Sequence, residues 1–576
     1  MKKSRLLAAA GALVASVAAP FAPAAVQYVQ SPPLTRVVDT PVGAVASGPV
    51  QVPIITWGGD IATIYANGNA KATARDSIFG KAGLNLNLVR EDVFAKQVGA
   101  YLSGKSPYLR GTMGMINMAT EVASRDPRTK PVVIYQMTWS AGGDALVVKG
   151  GVKSAKELKG KSVAVQAYGP HVDYLAKVLA DAGLSMKDIN VKWVADITGS
   201  GNSPAAALRE GGVDAAMVII PDAMALSSNG TVGTGAEDSV KGARILLSTK
   251  TANRIIADVY AVRSDYLQAN RASVESFVSG LAQGHEALRQ LVANKASRAA
   301  DYKKTMGAAA QILLDSAQAV SDAEGMYADA EFVGLAGNKA FFTGANNPRG
   351  FGQLNKEIGA AFGTIGLASQ AAALDHAKLD YGRIGGGSSA PAAAPPAEAQ
   401  RFDSAKVATI VAKRQQQGNL GEGELFSFEV LFGPNQDKFP AELYADAFKK
   451  VASLAKTYGG AVITVEGHSD PMAYLRARKE GASTVVLGRT QQSAKNLSLA
   501  RAVAVRDSVV AYAKSQGVSI DPSQFAVVGH GIAQPKSGMC SGEPCAPKSE
   551  EEWKGNMRVE FRIIQIEAEA SAFKPL

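Results

Sequence analysis

The chain has 576 residues, 47% hydrophobic and 19% charged, which excludes both a disordered polypeptide and a single small domain. Its net charge of +10 comes from basic residues spread along the chain, without a nucleic-acid-binding motif or interleaved basic and aromatic residues. We therefore expect no nucleic-acid partner, and only mild attraction to anionic components of a cell envelope.

The N-terminal segment indicates export. Basic residues precede an apolar stretch that ends in small residues, and Ala22-Pro23-Ala24 fits the cleavage site of a signal peptide. Residues 1–25 are therefore predicted to be a signal peptide, followed by an extended Pro-, Val- and Ser-rich leader over residues 26–50. No later stretch reaches the roughly 18 uninterrupted apolar residues of a membrane helix. We expect a periplasmic protein without a transmembrane segment.

A second change in composition divides the rest of the chain. Residues 381–402 contain the run GGGSSAPAAAPPAEA, which cannot pack a core and is typical of an interdomain linker. The linker separates a large domain, residues 51–380, from a smaller domain, residues 403–576.

In the large domain, strand-like and helix-like segments alternate, which predicts a parallel α/β architecture. The segment HVDYLAKVLADAG, for example, is an amphipathic helix with Leu175, Val178 and Leu179 on one face. In such sheets, ligands bind beyond the carboxyl ends of the strands, where loops lead into helix N-termini. The candidate solute-binding residues, which directly follow strands, are Trp57, Asp60, Thr138, Trp139, Tyr168, His171, Pro221 and Asp222.

Each of these side chains also has an ordinary structural role open to it. A Trp after a strand often packs within a lobe, and Asp222 can cap a helix. Backbone N–H groups at the start of the helix after Gly169 would suit an anionic or polar ligand. The pattern thus indicates where a ligand would bind but not which one.

The same region carries a family resemblance. The segment KSAKELKGKSVAVQAYGPHVDYLAKVLADAG, followed by SPAAALREGGVDAAMVIIPDA, resembles type 2 periplasmic substrate-binding proteins, in particular the nitrate, sulfonate and thiamine-precursor receptors of ABC importers. The resemblance covers roughly residues 51–345 and implies two α/β lobes that close around a solute. The thiamine-pyrimidine synthases, an enzyme branch of this wider family, use a Cys-rich motif, whereas the large domain has no cysteine. We therefore expect binding rather than catalysis, and no cofactor.

The small domain begins with a strand-like segment and continues as helix, strand, helix and strand, with a final strand near its end. This βαβαβ order predicts a small α+β domain with one sheet against two helices. In AVITVEGHSDP, the adjacent His468, Ser469 and Asp470 end a strand. They raise three possibilities: a hydrolase, a metal site, or a site that holds a ligand without reacting.

The first two possibilities are weak. Neighbouring strand residues point to opposite faces, so His468 and Asp470 face one way and Ser469 the other. A catalytic triad needs its His between the other two residues, which contiguous strand positions do not supply. A metal site needs further ligands, for which only His530 is a candidate. We therefore expect neither an enzyme nor a metal site, and we expect His468 to form hydrogen bonds within the domain.

The third possibility is favoured by a second resemblance. The motifs VEGHSD, LSLARAVAV, GHGIAQP and NMRVEF resemble, in this order, those of the OmpA-like C-terminal domain that binds peptidoglycan. The resemblance implies that Asp470 and Arg501 grip the diaminopimelate of the stem peptide. Its free ammonium suits a carboxylate, and its free carboxylate suits a planar guanidinium.

The position of Arg501 supports this assignment independently. Arg501 shares a helical row with Val505 and Val509, the face that should meet the sheet. A charge on that row needs a partner, and the alternative to a ligand is a simple ion pair between Asp470 and Arg501.

Two insertions distinguish this chain from the family pattern. The segment over residues 471–496 is longer than is usual in this family, and we predict that it forms a lid or an extra hairpin at the site. The only two cysteines, Cys540 and Cys545, are predicted to form a disulfide rather than a zinc site, because the protein is exported and no His lies nearby.

Together these expectations describe a peptidoglycan-associated periplasmic protein that captures a small polar or anionic solute for an ABC importer. Its partners would be peptidoglycan, the solute and the membrane subunits of the importer. The alternative is a structural, envelope-assembly or sensing protein whose large domain has become an interaction module.

Overall fold

The structure, a computed structural model, describes residues 25–344, 346–368, 373–384, 402, 404–417 and 427–564. The predicted signal peptide before residue 25 and most of the predicted linker lie outside these described residues. None of the helices in the described ranges is long and apolar enough to cross a membrane.

The large domain alternates strands and helices. Its strands are β1 (Val50–Ile54), β2 (Leu86–Arg90), β3 (Tyr108–Thr112), β4 (Pro131–Ser140), β5 (Asp144–Val148), β6 (Ser162–Gln166), β7 (Asn190–Val194), β8 (Ala215–Ile219), β9 (Arg244–Ser248), β10 (Ala257–Arg263), β11 (Ala330–Phe332) and β12 (Asp375–His376). Its helices are α1 (Asp60–Ala66), α2 (Ile78–Lys81), α3 (Phe94–Leu102), α4 (Met113–Ala123), α5 (His171–Asp181), α6 (Pro204–Arg209), α7 (Ile220–Leu226), α8 (Ser264–Ala269), α9 (Arg271–Ala293), α10 (Ala299–Leu314), α11 (Val320–Asp329), α12 (Gly334–Thr343), α13 (Phe351–Ile365) and α14 (Tyr381–Ile384).

Two five-stranded sheets divide this domain into two lobes. In the first lobe β12 lies beside β4 in a sheet of order β11-β4-β10-β3, with β1 and β2 paired separately, and the second lobe has the order β7-β6-β8-β5-β9. In the second sheet β6 is parallel to β7 and β8, whereas β5 is antiparallel to β8 and β9. The sheets are therefore mixed, and not purely parallel as the sequence had predicted. The strands next to the crossing segments, such as β5 and β10, run antiparallel to their neighbours.

The chain crosses between the lobes twice. It passes from the first to the second at residues 141–143, between β4 and β5, and returns at residues 249–256, between β9 and β10. The leader also contacts both lobes: the Val29 N–H donates to Trp193 O at 2.9 Å, and Leu34 is buried against α4. The two crossing segments connect the two lobes, and the leader over residues 26–50 contacts both.

Burial in the large domain follows the predicted helical faces. Leu175, Val178 and Leu179 of α5 are all buried in the core. At the other end of the domain, Tyr381 is also buried and its hydroxyl donates to Ile134 O at 2.7 Å. Packing of the large domain thus continues to Ile384, a few residues into the segment predicted as linker.

The small domain places helices on one four-stranded sheet. Its strands are β13 (Ser427–Leu431), β14 (Val462–His468), β15 (Phe525–Gly531), β16 (Met539–Cys540), β17 (Glu543–Pro544) and β18 (Arg558–Ile564). Its helices are α15 (Ser404–Gln416), α16 (Ala445–Thr457), α17 (Met472–Lys479), α18 (Thr484–Ser515) and α19 (Glu550–Gly555). The sheet order is β13-β18-β14-β15, with β14 parallel to β15 and antiparallel to β18.

A close backbone approach joins α18 to β14. A Cβ atom at Gly467 would lie 1.8 Å from the carbonyl oxygen of Ser498, so only glycine allows this packing. Arg501 follows Ser498 by about one helical turn. The motif glycine therefore positions Arg501 at the end of β14.

The two domains touch at the second crossing segment. The Gly460 N–H donates to Thr251 O at 3.1 Å, and the Arg254 N–H donates to Thr457 O at 3.2 Å. Beside them, the buried Tyr458 hydroxyl donates to Asp181 Oδ2 at 2.8 Å. The small domain therefore contacts a segment that connects the two lobes.

Candidate functional site

Residues predicted to face a solute cleft gather where the first lobe meets the first crossing segment. Trp57, after β1, donates through Nε1 to Thr138 Oγ1 at 2.9 Å. The Trp57 ring also lies against Gly143 in the crossing segment, where an added Cβ would come within 2.6 Å of the indole. Trp57 and Thr138 therefore contact each other at the boundary between the lobes.

Asp60 belongs to a buried ionic cluster next to this pair. Its Oδ2 lies 3.0 Å from Arg110 Nη2, and Arg110 Nη1 lies 2.9 Å from Asp258 Oδ1. Thr138 Oγ1 donates to the second oxygen of Asp258 at 3.1 Å. Burial raises the pKa of Asp60 to about 6, although Arg110 opposes the shift. One guanidinium thus links two carboxylates from different elements.

His171 lies in the second lobe and pairs with a residue of the crossing. Its Nε2 is 2.7 Å from Asp144 Oδ1 at the start of β5. Ser140 donates to the other Asp144 oxygen at 2.6 Å, and its hydroxyl lies 2.9 Å from that of Thr249 on the second crossing. A buried polar network therefore joins the first turn of α5 to the end of β4, the start of β5 and the second crossing segment.

The remaining predicted solute residues do not join this network. Trp139 is buried in the core, edge-on to Phe341. The Tyr168 hydroxyl donates to Pro32 O of the leader at 2.7 Å. Asp222 lies in the first turn of α7, directly after Pro221, and its buried Oδ2 has no hydrogen-bond partner among the described residues. The structure thus brings together Trp57, Asp60 and Thr138 but disperses the others.

The important partners at the lobe boundary were not predicted. Arg110 and Asp258 each stand within apolar strands, and a lone charge in such a run signals a buried ion pair. Asp144 follows two glycines at a strand start, and Asp173 lies in the first helical turn, where an acidic residue is ordinary. The sequence therefore contained a signal for the buried charges of Arg110 and Asp258. It contained little that would single out Asp144 and Asp173.

In the small domain, backbone carbonyls hold Arg501 in place. Its Nε donates to Gln436 O at 2.7 Å, Nη1 to His468 O at 3.0 Å, and Nη2 to Gly433 O at 3.0 Å. Three of its five N–H donors therefore bond neutral acceptors, and no carboxylate of the described residues forms an ion pair with it, although Asp437 and Asp470 lie near enough to favour its charged form. Burial lowers the pKa of Arg501 to about 10, so the guanidinium remains charged at neutral pH.

Asp470 and Arg501 line the same cavity, of about 280 Å³. Asp470 Oδ2 accepts a hydrogen bond from the Met472 N–H at 3.1 Å, whereas Oδ1 has no partner among the described residues. Burial raises the pKa of Asp470, partly offset by Met472 and the nearby Asn556 and Trp553 side chains. No ion pair within 4.0 Å joins Asp470 to Arg501 among the ion pairs of the described residues, so the simple ion-pair alternative is not present.

The insertion over residues 471–496 forms part of this cavity. It is helical, comprising α17 and the first turns of α18, rather than the hairpin that was one of the two expected forms. The residues of this insertion that line the cavity are Met472, Ala473, Tyr474, Arg476, Thr490, Ser493 and Ala494. Arg476 thus supplies a second cationic side chain.

The disulfide loop lies against the same insertion. Cys540 and Cys545 are bonded, as predicted, with their Cα atoms 5.2 Å apart. Glu543 within this loop accepts from the Tyr474 hydroxyl at 2.9 Å and pairs with Arg478 at 3.0 Å. The two insertions therefore support each other at the mouth of the cavity.

His468 differs from its prediction. Neither ring nitrogen has a hydrogen-bond partner among the described residues, so the expected hydrogen bonding of this side chain is wrong. Instead the ring stacks on His530, with centroids 4.8 Å apart and planes 12° from parallel. Burial and the nearby Arg558 and His530 lower the pKa of His468 to about 2, which keeps it neutral. The neutral His468 ring therefore packs against His530 at the end of β14.

Neither reactive alternative has the required geometry. Ser469 Oγ donates to Ala494 O at 2.9 Å and has no bond to a histidine. Potential ligand atoms of Glu466, His468 and His530 do lie within 4.8 Å of one another. However, His530 Nε2 already forms a hydrogen bond with Glu466 at 2.9 Å. The rings of His468 and His530 are also nearly parallel, so their nitrogen lone pairs lie in parallel planes and do not converge on one metal ion.

The strand orders and the two crossings define a two-lobed α/β domain followed by a small domain of one sheet and several helices. Residues 78–290 match the family model described as NMT1/THI5 like. This region contains the second lobe, the two crossing segments and part of the first lobe, from α2 to β4 and from β10 to most of α9. No curated protein sequence matches the chain.

Among solved structures, the chain is similar to several binding proteins. The periplasmic aliphatic sulphonate binding protein SsuA of Escherichia coli is 14% identical over 58% of this chain and 94% of its own, with a TM-score of 0.40. The alkanesulfonate-binding protein of Xanthomonas axonopodis, bound to MOPS, is 17% identical over 57% and 97%, with a TM-score of 0.37. The nitrate-binding protein NrtA of Synechocystis is 13% identical over 46% and 67%, with a TM-score of 0.30.

Proposed function

We propose that this chain is a periplasmic solute-binding protein of an ABC import system, tethered to peptidoglycan by its small domain. The observation that carries the tethering is the cavity shared by Asp470 and Arg501. It presents a carboxylate and a guanidinium that are close but not paired, which is the arrangement complementary to an amino acid with a free ammonium and a free carboxylate.

Diaminopimelate in a stem peptide has this chemistry. Its ammonium would bind Asp470 Oδ1, which has no hydrogen-bond partner among the described residues. Its carboxylate would accept hydrogen bonds from the two N–H donors of Arg501 that no acceptor in the described part of the chain occupies. Because three carbonyls already orient the guanidinium, little side-chain entropy is lost on binding. The site needs no chemical step, so the domain acts as an anchor.

The solute-binding role is supported by the large domain. Two lobes joined by two crossing segments permit closure around a ligand, and the family-model match over residues 78–290 includes the second lobe and both crossing segments. At the lobe boundary, the four buried carboxyl groups of Asp60, Asp144, Asp173 and Asp258 accompany two buried guanidinium groups, those of Arg110 and Arg349. This excess of carboxylates favours a polar solute over an anionic one.

Sedimentation with isolated peptidoglycan tests the tethering. Asp470→Asn and Arg501→Lys keep the size of each side chain but remove its charge or its planar fork, and we expect each to weaken co-sedimentation at least tenfold. Asp507→Asn and Arg506→Lys, on the outer surface of α18, are the matched controls and should sediment as the wild type does. Unfolding curves verify that all four variants fold. Equal sedimentation of all variants would refute the tethering.

Thermal unfolding with a metabolite panel tests the solute-binding role. A solute that binds the native state raises the unfolding temperature, and the rise grows with the logarithm of its affinity. If no small molecule raises it while envelope proteins co-purify, the chain is an envelope-assembly or sensing protein instead.

A further inference from the structure

A second cavity, of about 330 Å³, lies between α5, α13 and the second crossing segment. Helix α13 packs on α4 of the first lobe and on α5 of the second, so the cavity is at the lobe boundary. Most of its wall is apolar, formed by Ala176, Leu184, Met186, Ile255, Ile358 and Ala361. Its volume suits a small organic molecule.

Both cations that line this cavity already have partners. Lys177 Nζ lies 2.7 Å from Asp181 Oδ1, one helical turn along α5. Arg349 Nη1 lies 2.8 Å from Glu357 Oε2, and its Nε donates to Arg254 O at 2.7 Å. The charges of Lys177, Arg349 and Glu357 are therefore balanced within the protein.

Asp173 is the exception. Its side chain lines the cavity and is 3% exposed, yet no other residue donates a hydrogen bond to either carboxylate oxygen among the described residues. The carboxyl group lies against Gly114 in the first turn of α4, where a Cβ would come within 2.6 Å of it. A buried carboxylate without a partner is costly, and the two helix N-termini beside it compensate only in part.

The surroundings of Asp173 add negative potential. Asp258 and Asp144 face it from the two lobes, and Arg349 opposes them from beside α13. Burial, with these carboxylates, raises the pKa of Asp173 to about 7. A cation placed beside this group would restore its normal ionisation.

We propose that the cavity binds a primary ammonium group on an apolar body, with Asp173 as its counter-ion. This inference rests on the proposed solute-binding function and names the solute class. An ammonium supplies three donors for the unpartnered carboxylate oxygens, and the hydrocarbon body covers the apolar wall. A carboxylate ligand would instead meet the negative charge of Asp173, while both cations that line the cavity are already paired.

Calorimetric titration of the full chain tests this class. The probes are butylamine and phenethylamine, with 2-phenylethanol and 3-phenylpropanoate as the neutral and anionic counterparts of phenethylamine. We expect an amine to bind at least tenfold more tightly than either counterpart. Asp173→Asn should weaken amine binding at least tenfold, whereas Asp238→Asn, an exposed carboxylate on the same lobe, should leave it unchanged.

Proton release gives a second readout, independent of affinity. Because the free carboxyl group is partly protonated near pH 7, amine binding should release protons, which appears as a dependence of the heat on the ionisation enthalpy of the buffer. Asp173→Asn should abolish this dependence.

The outcomes separate this inference from the function on which it rests. Amine binding that is unchanged in Asp173→Asn, or a neutral counterpart that binds as tightly, overturns the inference. Binding of other solutes, but of neither amine, overturns it while leaving the solute-binding role intact. Absence of any bound solute across the amines and the metabolite panel overturns both.

Discussion

Two buried arginines, Arg110 at the lobe boundary and Arg501 in the small domain, have opposite surroundings. At the boundary, Arg110 lies 3.0 Å from Asp60 and 2.9 Å from Asp258, so its charge is met within the fold. In the small domain, the hydrogen bonds of Arg501 among the described residues all go to neutral carbonyls, and Asp470 lines the same cavity without forming an ion pair with it. Charges paired internally serve the fold, whereas charges fixed by neutral groups next to a cavity are available to a ligand.

The largest effect should follow removal of the internally paired cation. Arg110→Met leaves Asp60 and Asp258 buried without a partner, and we expect the free energy of unfolding to fall by about 3–5 kcal/mol. Urea denaturation measures this. Arg128→Met removes an exposed arginine paired with Asp126 and should leave stability unchanged. Equal stability of both variants would contradict a structural role for the buried cluster.

A second test removes the close approach that positions Arg501. Gly467→Ala forces a methyl group into the Ser498 carbonyl, so we expect a loss of about 2–3 kcal/mol together with weaker peptidoglycan binding. Gly488→Ala, at an open and exposed position of α18, should instead stabilise the helix by up to about 1 kcal/mol. If Gly467→Ala leaves the free energy of unfolding unchanged, the close packing of α18 on β14 at Ser498 is contradicted.

The unpartnered carboxyl group predicts a pH dependence. Since the folded state raises the pKa of Asp173 to about 7, it binds this proton more tightly than the unfolded state does. Its contribution to stability is therefore full below about pH 4 and is lost as the pH rises through 7. Asp173→Asn should remove this slope and be more stable than the wild type at pH 8, by on the order of 2 kcal/mol. Asp238→Asn serves as the control, and an identical slope in both variants would contradict the assignment.

The smallest effect concerns the contact between the domains. Tyr458→Phe removes one buried hydrogen bond to Asp181, which retains its ion pair with Lys177, and should cost about 1 kcal/mol. Thermal unfolding monitors the change. A loss several times larger would indicate that the two domains unfold as one cooperative unit.

Local patterns predicted several elements well. The spacing of Leu175, Val178 and Leu179 gives the buried face of α5, and Arg501 shares a buried row with Val505 and Val509. Leu443 shows the limit of periodicity: it continues the apolar row of α16 in the sequence but is 76% exposed. The chain there forms a 3-10 helix over Ala441–Tyr444, whose tighter winding turns Leu443 away from the sheet.

The candidate sites were harder to predict because their geometry depends on distant partners. Asp470 and Arg501 were found through adjacent motifs, and they do line one cavity. In the large domain, strand ends predicted Trp57 and Asp60 but not Asp173, which faces the second cavity from within a helix. Whether a buried carboxylate such as Asp173 has a partner depends on residues that are distant in the sequence. The periodicity of apolar residues does not indicate which distant residues come together.

The most direct test of the tethering uses a ligand with and without the recognised group. meso-Diaminopimelate and lysine differ by one terminal carboxylate, so a site built from Asp470 and Arg501 should bind the former at least tenfold more tightly in a calorimetric titration. Arg501→Lys should largely remove that difference. Equal binding of both amino acids to the wild type, or a difference that survives in Arg501→Lys, would contradict the proposed recognition of the cell wall.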